Sequence, residues 1–440
     1  MILEILNEKW GIWCWYLFTA IALSFFIDGF LFTIAPILSQ FIAPAWAIYI
    51  LALNLASFTV GSILFGALSD KIGRRKTFLT VVISEVILTV LLYFLYSNPI
   101  LFTILTSLIC LVIGGEFGAA FAAVAELVPS RHRGKTMLLA INFWNLGPVI
   151  LAALSILYEK LFTTPTTYVK SLLLSILLAV IIVGLIRVKF PESIRWLITR
   201  GRLEEAKKIA EKYLGTSISD EDIRKLQEAE ESKLTFSEVV REYSDRFIIL
   251  LIITIVVYVT YFIPAFYLPY VPDFPFPKLI PYIILTANAG SFIGAFLLIP
   301  FIDKSRRIST TVSLVGGFVT TIPMIYSVLA RIPGLFLTSL FLNMVFSQWA
   351  WACLSTLQTE LFPTGIRSTV VGLLVSLEGV VGSLLTLAEL SLTTWVCLAI
   401  MATLWLTGTI AAVVWHIKGV ETAGLALEDI VHSHARTRAK

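Results

Sequence analysis

Three acidic residues, Asp28, Glu116 and Glu378, lie near the middles of long apolar runs of the sequence. If these runs cross a bilayer, a charge at the centre costs about 2.5–3.5 kcal/mol on insertion scales, so such residues usually face a bundle interior and have a function. Glu85 and Glu389 also lie in apolar runs, where a structural role is the favoured interpretation. Because no Lys, Arg or His lies near the centre of a run, we predict a cavity with acids and no buried base. Such a cavity suits protons, cations or neutral polar solutes.

A carboxylic acid surrounded by apolar side chains favours its neutral form, because desolvation penalises the charge. A group that carries a proton across a membrane needs this property. We therefore predict that Asp28 and Glu116 are proton-coupling residues.

The elements that position these residues follow from composition. The 440 residues are 58% hydrophobic and 14% charged, and the mean hydropathy is +0.90. A soluble chain would carry nearly twice that charged fraction, so a soluble enzyme, a nucleic-acid binder and a disordered protein are poor interpretations. The net charge of +4 is too small to indicate a polyanionic partner. The continuous apolar runs predict an all-α membrane protein rather than a spanning β-barrel.

About 20 apolar residues span a bilayer, and by this rule the sequence predicts twelve transmembrane helices. Their predicted bounds are 12–39, 45–68, 77–97, 100–126, 136–158, 168–188, 247–271, 279–302, 308–329, 333–361, 367–391 and 394–417. The first run is too long for the core of a signal peptide, so we expect it to be retained.

Loop charges predict the orientation. The short loops on one side hold eleven Lys and Arg residues and the opposite loops hold four, which places both termini in the cytoplasm by the positive-inside rule. Residues 189–246 hold 25 of the 62 charges and predict a cytoplasmic helical linker, with helices at Arg202–Leu214 and Glu221–Glu231. The predicted domains are therefore an N-terminal bundle over 1–188, the linker over 189–246, a C-terminal bundle over 247–417 and a cytoplasmic tail over 418–440. We expect a monomer in the cell membrane.

The four cysteines lie inside apolar runs and none has metal-ligand spacing, so we predict neither a metal site nor a disulfide framework. The sequence holds no nucleotide-binding loop, and we predict no cofactor and no enzymatic activity.

The two halves of the chain repeat each other. Gly61 precedes Asp70 by nine residues, and Gly294 precedes Asp303 by the same interval. Ala125-Glu126-Leu127-Val128-Pro129 leads to Arg133, as Thr359-Glu360-Leu361-Phe362-Pro363 leads to Arg367. The offsets of these pairs are 233 and 234 residues, which indicates a duplication. Many secondary transporters are built from two such halves with a site between them.

The segment Gly61-Ser62-Ile63-Leu64-Phe65-Gly66-Ala67-Leu68-Ser69-Asp70-Lys71-Ile72-Gly73-Arg74-Arg75-Lys76 resembles the signature loop between helices 2 and 3 of the major facilitator superfamily. The resemblance covers nearly the whole chain and implies two six-helix pseudo-repeats that work by alternating access. In that family the loop forms a charged latch, so the resemblance implies one latch of Asp70 with Arg74 and Arg133 and another of Asp303 with Arg367. The predicted gating residues are Gly61, Asp70, Gly73, Arg74, Arg75, Glu126, Arg133, Asp303, Arg306, Glu360 and Arg367.

Further segments are similar to the sugar porter, organic-ion and aromatic-acid branch of this superfamily. They are Pro191-Glu192-Ser193-Ile194-Arg195-Trp196, Gly419-Val420-Glu421-Thr422 and Gly114-Gly115-Glu116-Phe117. Two departures stand out: the second acid usual on helix 1 falls at Leu31, and the coupling arginine of helix 4 falls at Thr106. Hexose porters carry glutamines on helix 7, and residues 256–264 have none. The hypothesis that this chain transports hexoses is therefore weakened.

Polar and aromatic residues on the spans that line the cavity of that family could contact a solute. With Glu378, the predicted substrate-binding residues are Asn142, Trp144, Tyr258, Tyr261, Asn288, Gln348 and Trp351. For the uncharged ones, packing is the alternative interpretation.

We therefore expect a secondary transporter for a small organic solute, with proton symport and a neutral or cationic substrate. A sugar or an aromatic or organic-acid carrier of the same superfamily is the alternative. A non-transporting receptor on a carrier scaffold and a channel are further hypotheses, each with less support from the latch residues and the repeat.

Overall fold

A computed structural model describes residues 10–187, 190–214, 218–219, 221–224, 241, 243–264, 268, 271, 273–276, 279–364, 366–388, 392–427 and 429–430. The regular secondary structure of these residues is helical throughout. Long runs of Leu, Ile, Val and Phe with no period-two alternation account for this, because a helix satisfies its own backbone groups within an apolar surrounding.

The fold contains fifteen α-helices among the described residues. They are α1 (Ile12–Phe32), α2 (Ile34–Ile42), α3 (Ala47–Ile72), α4 (Arg74–Leu95), α5 (Pro99–Leu127), α6 (Arg133–Leu161), α7 (Pro165–Arg187), α8 (Ile194–Thr199), α9 (Leu203–Leu214), α10 (Ser244–Phe262), α11 (Ile280–Ile302), α12 (Arg306–Leu329), α13 (Pro333–Glu360), α14 (Arg367–Ala388) and α15 (Thr394–Lys418).

Within the described residues, twelve helical stretches are long and apolar enough to cross a membrane. The α1–α2 pair forms the first, α3–α7 form five, and α10–α15 form six. This confirms the predicted all-α membrane fold with twelve spans.

The end of one predicted helix and the continuity of another differ from the structure. The seventh helix was expected to continue to residue 271, but α10 ends at Phe262. Pro264 follows, and a proline inside a helix removes a hydrogen bond and clashes with the preceding turn. The first predicted span is divided at Thr33 into α1 and α2.

The first compact unit comprises Met1–Pro129, Ala140–Ser232 and Pro363–Ser383. In it, α5 packs against α1, α3 and α4. The contact of α5 with α3 depends on Gly61, where an added Cβ would lie 1.7 Å from the carbonyl oxygen of Leu111. Glycine therefore allows the two backbones to approach closely, as small residues do between membrane helices.

The second compact unit comprises Ser130–Leu139, Lys233–Phe362 and Leu384–Lys440. Here α13, the repeat of α5, packs against α10, α11 and α12. Gly294 on α11 is the equivalent of Gly61. A Cβ added to it would lie 2.8 Å from the Cα of Val345 on α13. The indole N–H of Trp349 donates to the carbonyl of Gly294 at 2.6 Å and joins the same two helices.

The charged central stretch folds in part as predicted. Helix α9 coincides with the predicted helix at Arg202–Leu214, and its Ala206 and Ala210 pack with Trp196 of α8. Residues 221–224 are helical, and the remainder of the predicted helix to Glu231 lies outside the described residues. The two compact units have other bounds than the predicted domains, which end at residues 188, 246 and 417. The domain division stays a prediction.

Candidate functional site

Four buried charged side chains meet in the first unit. They are Asp28 on α1, Glu85 on α4, Glu116 on α5 and Arg187 at the end of α7, each at most 1% exposed. We call them the buried charge cluster. Each of the three acids offers one carboxylate oxygen, and these three oxygens lie within 4.8 Å of one another. The Arg187 guanidinium lies 2.5 Å from Glu116 and 3.7 Å from Glu85.

Asp28 differs from the two glutamates. Neither of its carboxylate oxygens accepts from an N–H or hydroxyl donor, although the side chain is fully buried. A buried ionised carboxylate with no bonded partner is strongly disfavoured, whereas a neutral carboxyl group costs far less.

The predicted absence of a buried base is wrong. Arg187 was counted as a residue at the end of a span, yet its side chain is 2% exposed and reaches the acids. The guanidinium also lies over the ring of Phe78, 5.1 Å from its centroid, which fixes its orientation. A long arginine side chain can lie a full side-chain length from its own backbone position, so its place in the sequence conceals its depth.

The two family positions that this chain changes are filled by neutral groups. Leu31 is buried at 2% exposure. The hydroxyl of Thr106 donates to the backbone carbonyl of Phe102 at 2.9 Å and lies 3.4 Å from the Asn54 side-chain oxygen. The base that does reach the buried acids is Arg187, at the end of α7.

Glu378 on α14 is a further buried acid of the first unit, 4% exposed, with one carboxylate oxygen that has no hydrogen-bond partner. Of the other predicted substrate residues in this unit, Asn142 is buried and accepts from Asn145 at 3.2 Å. Trp144 is half-buried and packs edge-on against Phe117. Glu389, the fifth predicted acid, lies outside the described residues.

Five predicted substrate residues belong to the second unit. Tyr258 and Gln348 are buried, at 5% and 2% exposure, and Tyr261, Trp351 and Asn288 are half-buried. Tyr261 and Trp351 form an edge-to-face pair with ring centroids 6.4 Å apart. The structure thus brings these two aromatic residues together, and the substrate role of all five stays a prediction.

The first predicted latch forms a buried network in the first unit. Asp70 lies 3.2 Å from Arg74, which in turn lies 2.6 Å from Glu126. Arg367 pairs with the same glutamate at 2.9 Å. Asp70 also accepts from the amide of Thr369 at 2.7 Å and so caps the first turn of α14.

The second network repeats this arrangement in the second unit. Arg306 lies 3.0 Å from Asp303 and 3.2 Å from Glu360, and Arg133 lies 3.2 Å from the same glutamate. Asp303 accepts from the amide of Gly134 at 2.9 Å, at the first turn of α6.

The structure assigns Arg133 and Arg367 different partners from those predicted. Arg133 pairs with Glu360 instead of Asp70, and Arg367 pairs with Glu126 instead of Asp303. The physical reason is that each aspartate accepts backbone amides at a helix start, which leaves the glutamate as the buried counter-charge of the arginine.

Two further glutamates complete the networks and were noted in the sequence only as parts of family segments. Glu192 accepts from the amides of Arg74 and Arg75 at 2.8 and 3.4 Å. These amides start α4 directly after Gly73, whose φ of 100° favours glycine. Glu421 accepts in the same way from the amides of Arg306 and Arg307 at 2.8 and 3.4 Å. The recurrence of a Glu shortly after each six-helix half was the signal that could have found them.

Twelve apolar helices, an internal repeat and buried charged networks at the ends of the helices define a polytopic membrane transport protein. The family model of the Major Facilitator Superfamily matches residues 17–386. The chain belongs to this superfamily, as the signature loop predicted, and is a transporter rather than an enzyme.

The chain is similar to the inner membrane metabolite transport protein YgcS of Escherichia coli, with 27% identity over 82% of this chain and 80% of that protein. It is 28% identical to the niacin transporter NiaP of Acinetobacter baylyi over 41% of this chain. That match spans 40% of NiaP, and the match to the E. coli putative metabolite transport protein YaaU spans 44% of its length, so several curated relatives are matched over less than half of their own length.

Among solved structures, the proton:xylose symporter XylE of E. coli superimposes with a TM-score of 0.80 at 17% identity. The match covers 96% of this chain and 99% of XylE. At this identity the likeness establishes the fold alone.

Proposed function

We propose that this transporter is a secondary active carrier that moves a small neutral or cationic organic solute together with protons by alternating access. The observation that carries the proposal is the buried charge cluster, in which three acids face a single base. Ionised acids exceed the base by two charges, and protons are the smallest cations that can balance this excess inside an apolar bundle.

The proposed preference for a neutral or cationic solute rests on the same excess of acids over bases. Arg187 is bonded to Glu116 within the cluster and so is not free to receive the carboxylate of a substrate. Glu378, a buried acid outside the cluster, would repel an anion further. The similarity to a niacin transporter suggests a direct test of solute charge. Nicotinate is an anion, and nicotinamide has the same ring without the charge.

A thermal-shift screen of sugars, amines, amino acids, nicotinamide and nicotinate would identify stabilising solutes, because a ligand that binds the folded state raises the unfolding temperature. Uptake of the best stabiliser into proteoliposomes would follow, with and without an imposed pH gradient. We expect accumulation that depends on the gradient, and nicotinamide to compete better than nicotinate. Downhill flux alone would indicate a channel or uniporter, and binding without flux would indicate a receptor. Stabilisation by organic anions only would contradict the proposed charge preference.

A further inference from the structure

We propose that the buried charge cluster holds two protons, with Glu85 as its third acid and Arg187 as the positioning residue that fixes this number. Glu85 and Arg187 were not among the predicted coupling residues. The role of these protons in transport rests on the proposed function, but their presence does not.

The first argument is geometric. The cluster draws one side chain from each of four helices, α1, α4, α5 and α7, and the ionisable groups that interact with Asp28 are its three other members. Four carboxylate oxygens of the cluster are buried and accept from no N–H or hydroxyl donor: both of Asp28, one of Glu85 and one of Glu116. A proton on Asp28 or Glu85 would be shared between these two carboxyl groups, which lie within hydrogen-bond reach of each other, and Glu116 offers an oxygen within 4.8 Å of both.

The second argument is charge balance. Three ionised carboxylates and one guanidinium carry a net charge of −2 in a region closed to solvent. Buried charges are tolerated only when they are paired. Two protons, taken from the surrounding water onto two carboxylates, leave the third carboxylate paired with the guanidinium and bring the net charge to zero.

The third argument separates protons from a metal cation. A hard cation prefers a shell of six or more oxygens, and the guanidinium already lies among the acids, 2.5 Å from Glu116. A metal ion bound by these acids would lie close to the guanidinium, and the two positive charges would repel each other. Protons satisfy the same oxygens without adding a coordination shell, so the geometry favours them.

The count predicts a simple rule: the number of bound protons equals the number of acids minus the number of bases. Infrared absorption by protonated carboxyl groups, recorded at neutral pH on substrate-free protein in lipid nanodiscs, would test this rule. Asp28→Asn and Glu85→Gln should each lower the absorption by one carboxyl group, and the double variant by two. Arg187→Gln should raise it by one.

Two controls calibrate the measurement. Glu378→Gln removes a lone buried acid and should lower the absorption by one carboxyl group independently of the cluster. Glu159→Gln, on an exposed position of α6, should change nothing. If Arg187→Gln fails to fold, the Arg187→Gln/Glu116→Gln double variant removes both charges of the ion pair and should match the wild type.

An unchanged absorption in Glu85→Gln, or a decrease in the Arg187 variant, would overturn the two-proton cluster. A decrease on replacing K⁺ by Na⁺ at constant pH would overturn the assignment to protons and indicate a metal cation. Because no substrate is present, these outcomes are independent of whether the chain catalyses symport.

Discussion

Asp28 and Glu116 lie in one cluster but differ in how they are held. No N–H or hydroxyl group donates to Asp28, whereas the guanidinium of Arg187 donates to Glu116 at 2.5 Å. Removing the charge of Asp28 therefore affects mainly the number of protons bound. Removing the charge of Glu116 also leaves a buried guanidinium without its closest counter-charge.

For Asp28→Asn we expect loss of accumulation driven by a pH gradient, while exchange of substrate across the membrane persists. The amide has nearly the same shape but cannot release or take up a proton. Proteoliposome uptake and counterflow of the identified solute would measure the two activities. Normal accumulation by this variant, with Glu159→Gln as the reference, would rule Asp28 out as a coupling residue.

For Glu116→Gln we expect a loss of stability of about 3–5 kcal/mol, the usual effect of breaking a buried ion pair from one side. Arg187→Gln should restore part of it when added to Glu116→Gln, since the double variant buries no unpaired charge. Thermal unfolding of the two single variants and the double variant, compared as a double-mutant cycle, would measure the coupling. Strictly additive losses would show that the pair contributes nothing specific.

The sequence identified three of the four members of the cluster as acids in apolar runs, and two of them as proton-coupling residues. It placed Glu85 in a structural role because an apolar neighbourhood alone does not say which face of α4 meets α5. It missed Arg187 because the position of a residue along a predicted span gives the depth of its backbone only, and the guanidinium lies far from its own Cα.

At the scale of helices, Asp70 joins the end of α3 to the start of α14. It accepts from the amides of Ser368 and Thr369 at 3.3 and 2.7 Å. We expect Asp70→Asn to cost about 1–3 kcal/mol, because the charge that strengthens these bonds is lost. Conformations in which α3 and α14 separate should become more populated.

Hydrogen–deuterium exchange of the amides at 368 and 369 would measure this opening. The matched variant is Asp303→Asn, which should expose the amides of Gly134 and Lys135 instead. Exchange that increases at both places in both variants would indicate general destabilisation rather than the loss of one helix cap.

The glutamates that cap α4 and α12 should respond oppositely to pH. Burial raises the pKa of Glu192 despite its bonds from the amides of Ser193, Arg74 and Arg75. At Glu421 burial acts in the same direction, but bonds from Ser305 and from backbone amides outweigh it and lower the pKa.

A lowered folded-state pKa means that Glu421 stabilises the fold at neutral pH and loses this effect as the pH falls through that pKa. A raised pKa means that ionised Glu192 lowers stability as the pH rises above the ordinary glutamate value. We therefore expect Glu421→Gln to lower the unfolding temperature at neutral pH more than Glu192→Gln does, with the difference shrinking in acid. Unfolding temperatures measured across the acid range would show a constant difference if this assignment is wrong.

The repeat in the sequence identified which residues form the two helix-end networks but not their partners. The offset between Asp70 and Asp303 fixes their equivalence, because duplicated segments fold alike. It cannot say whether Arg367 reaches Glu126 or Asp303, since that choice depends on which acid the neighbouring helix start has already engaged.

For the whole molecule, hydrophobicity sufficed to predict the fold. The twelve predicted runs correspond to the twelve helical spans of the described residues, most within three residues of the expected bounds, because the length of a span is dictated by the bilayer. The exception is α10, where the apolar run continues past Pro264. Composition alone predicts a longer helix there, whereas the proline disfavours its continuation.

The predicted orientation, with both termini in the cytoplasm, can be tested with introduced cysteines. All four native cysteines are buried, so a membrane-impermeant thiol reagent should give little background. We expect Lys71→Cys and Lys304→Cys, at exposed positions, to be labelled only after the membrane is opened. Lys160→Cys, exposed at the end of α6, should be labelled in intact cells. The reverse pattern would invert the topology.

The crossed pairing of the two helix-end networks has a consequence for how the chain is made. A ribosome that has released the first 130 residues has supplied Arg74 and Glu126, which can pair at once. Arg133 emerges next, but the glutamate with which it pairs, Glu360, follows 227 residues later. The nascent first half therefore holds the Arg74–Glu126 pair but neither the Arg367–Glu126 pair nor the Arg133–Glu360 pair. Both networks are therefore complete only after the second half of the chain has been made.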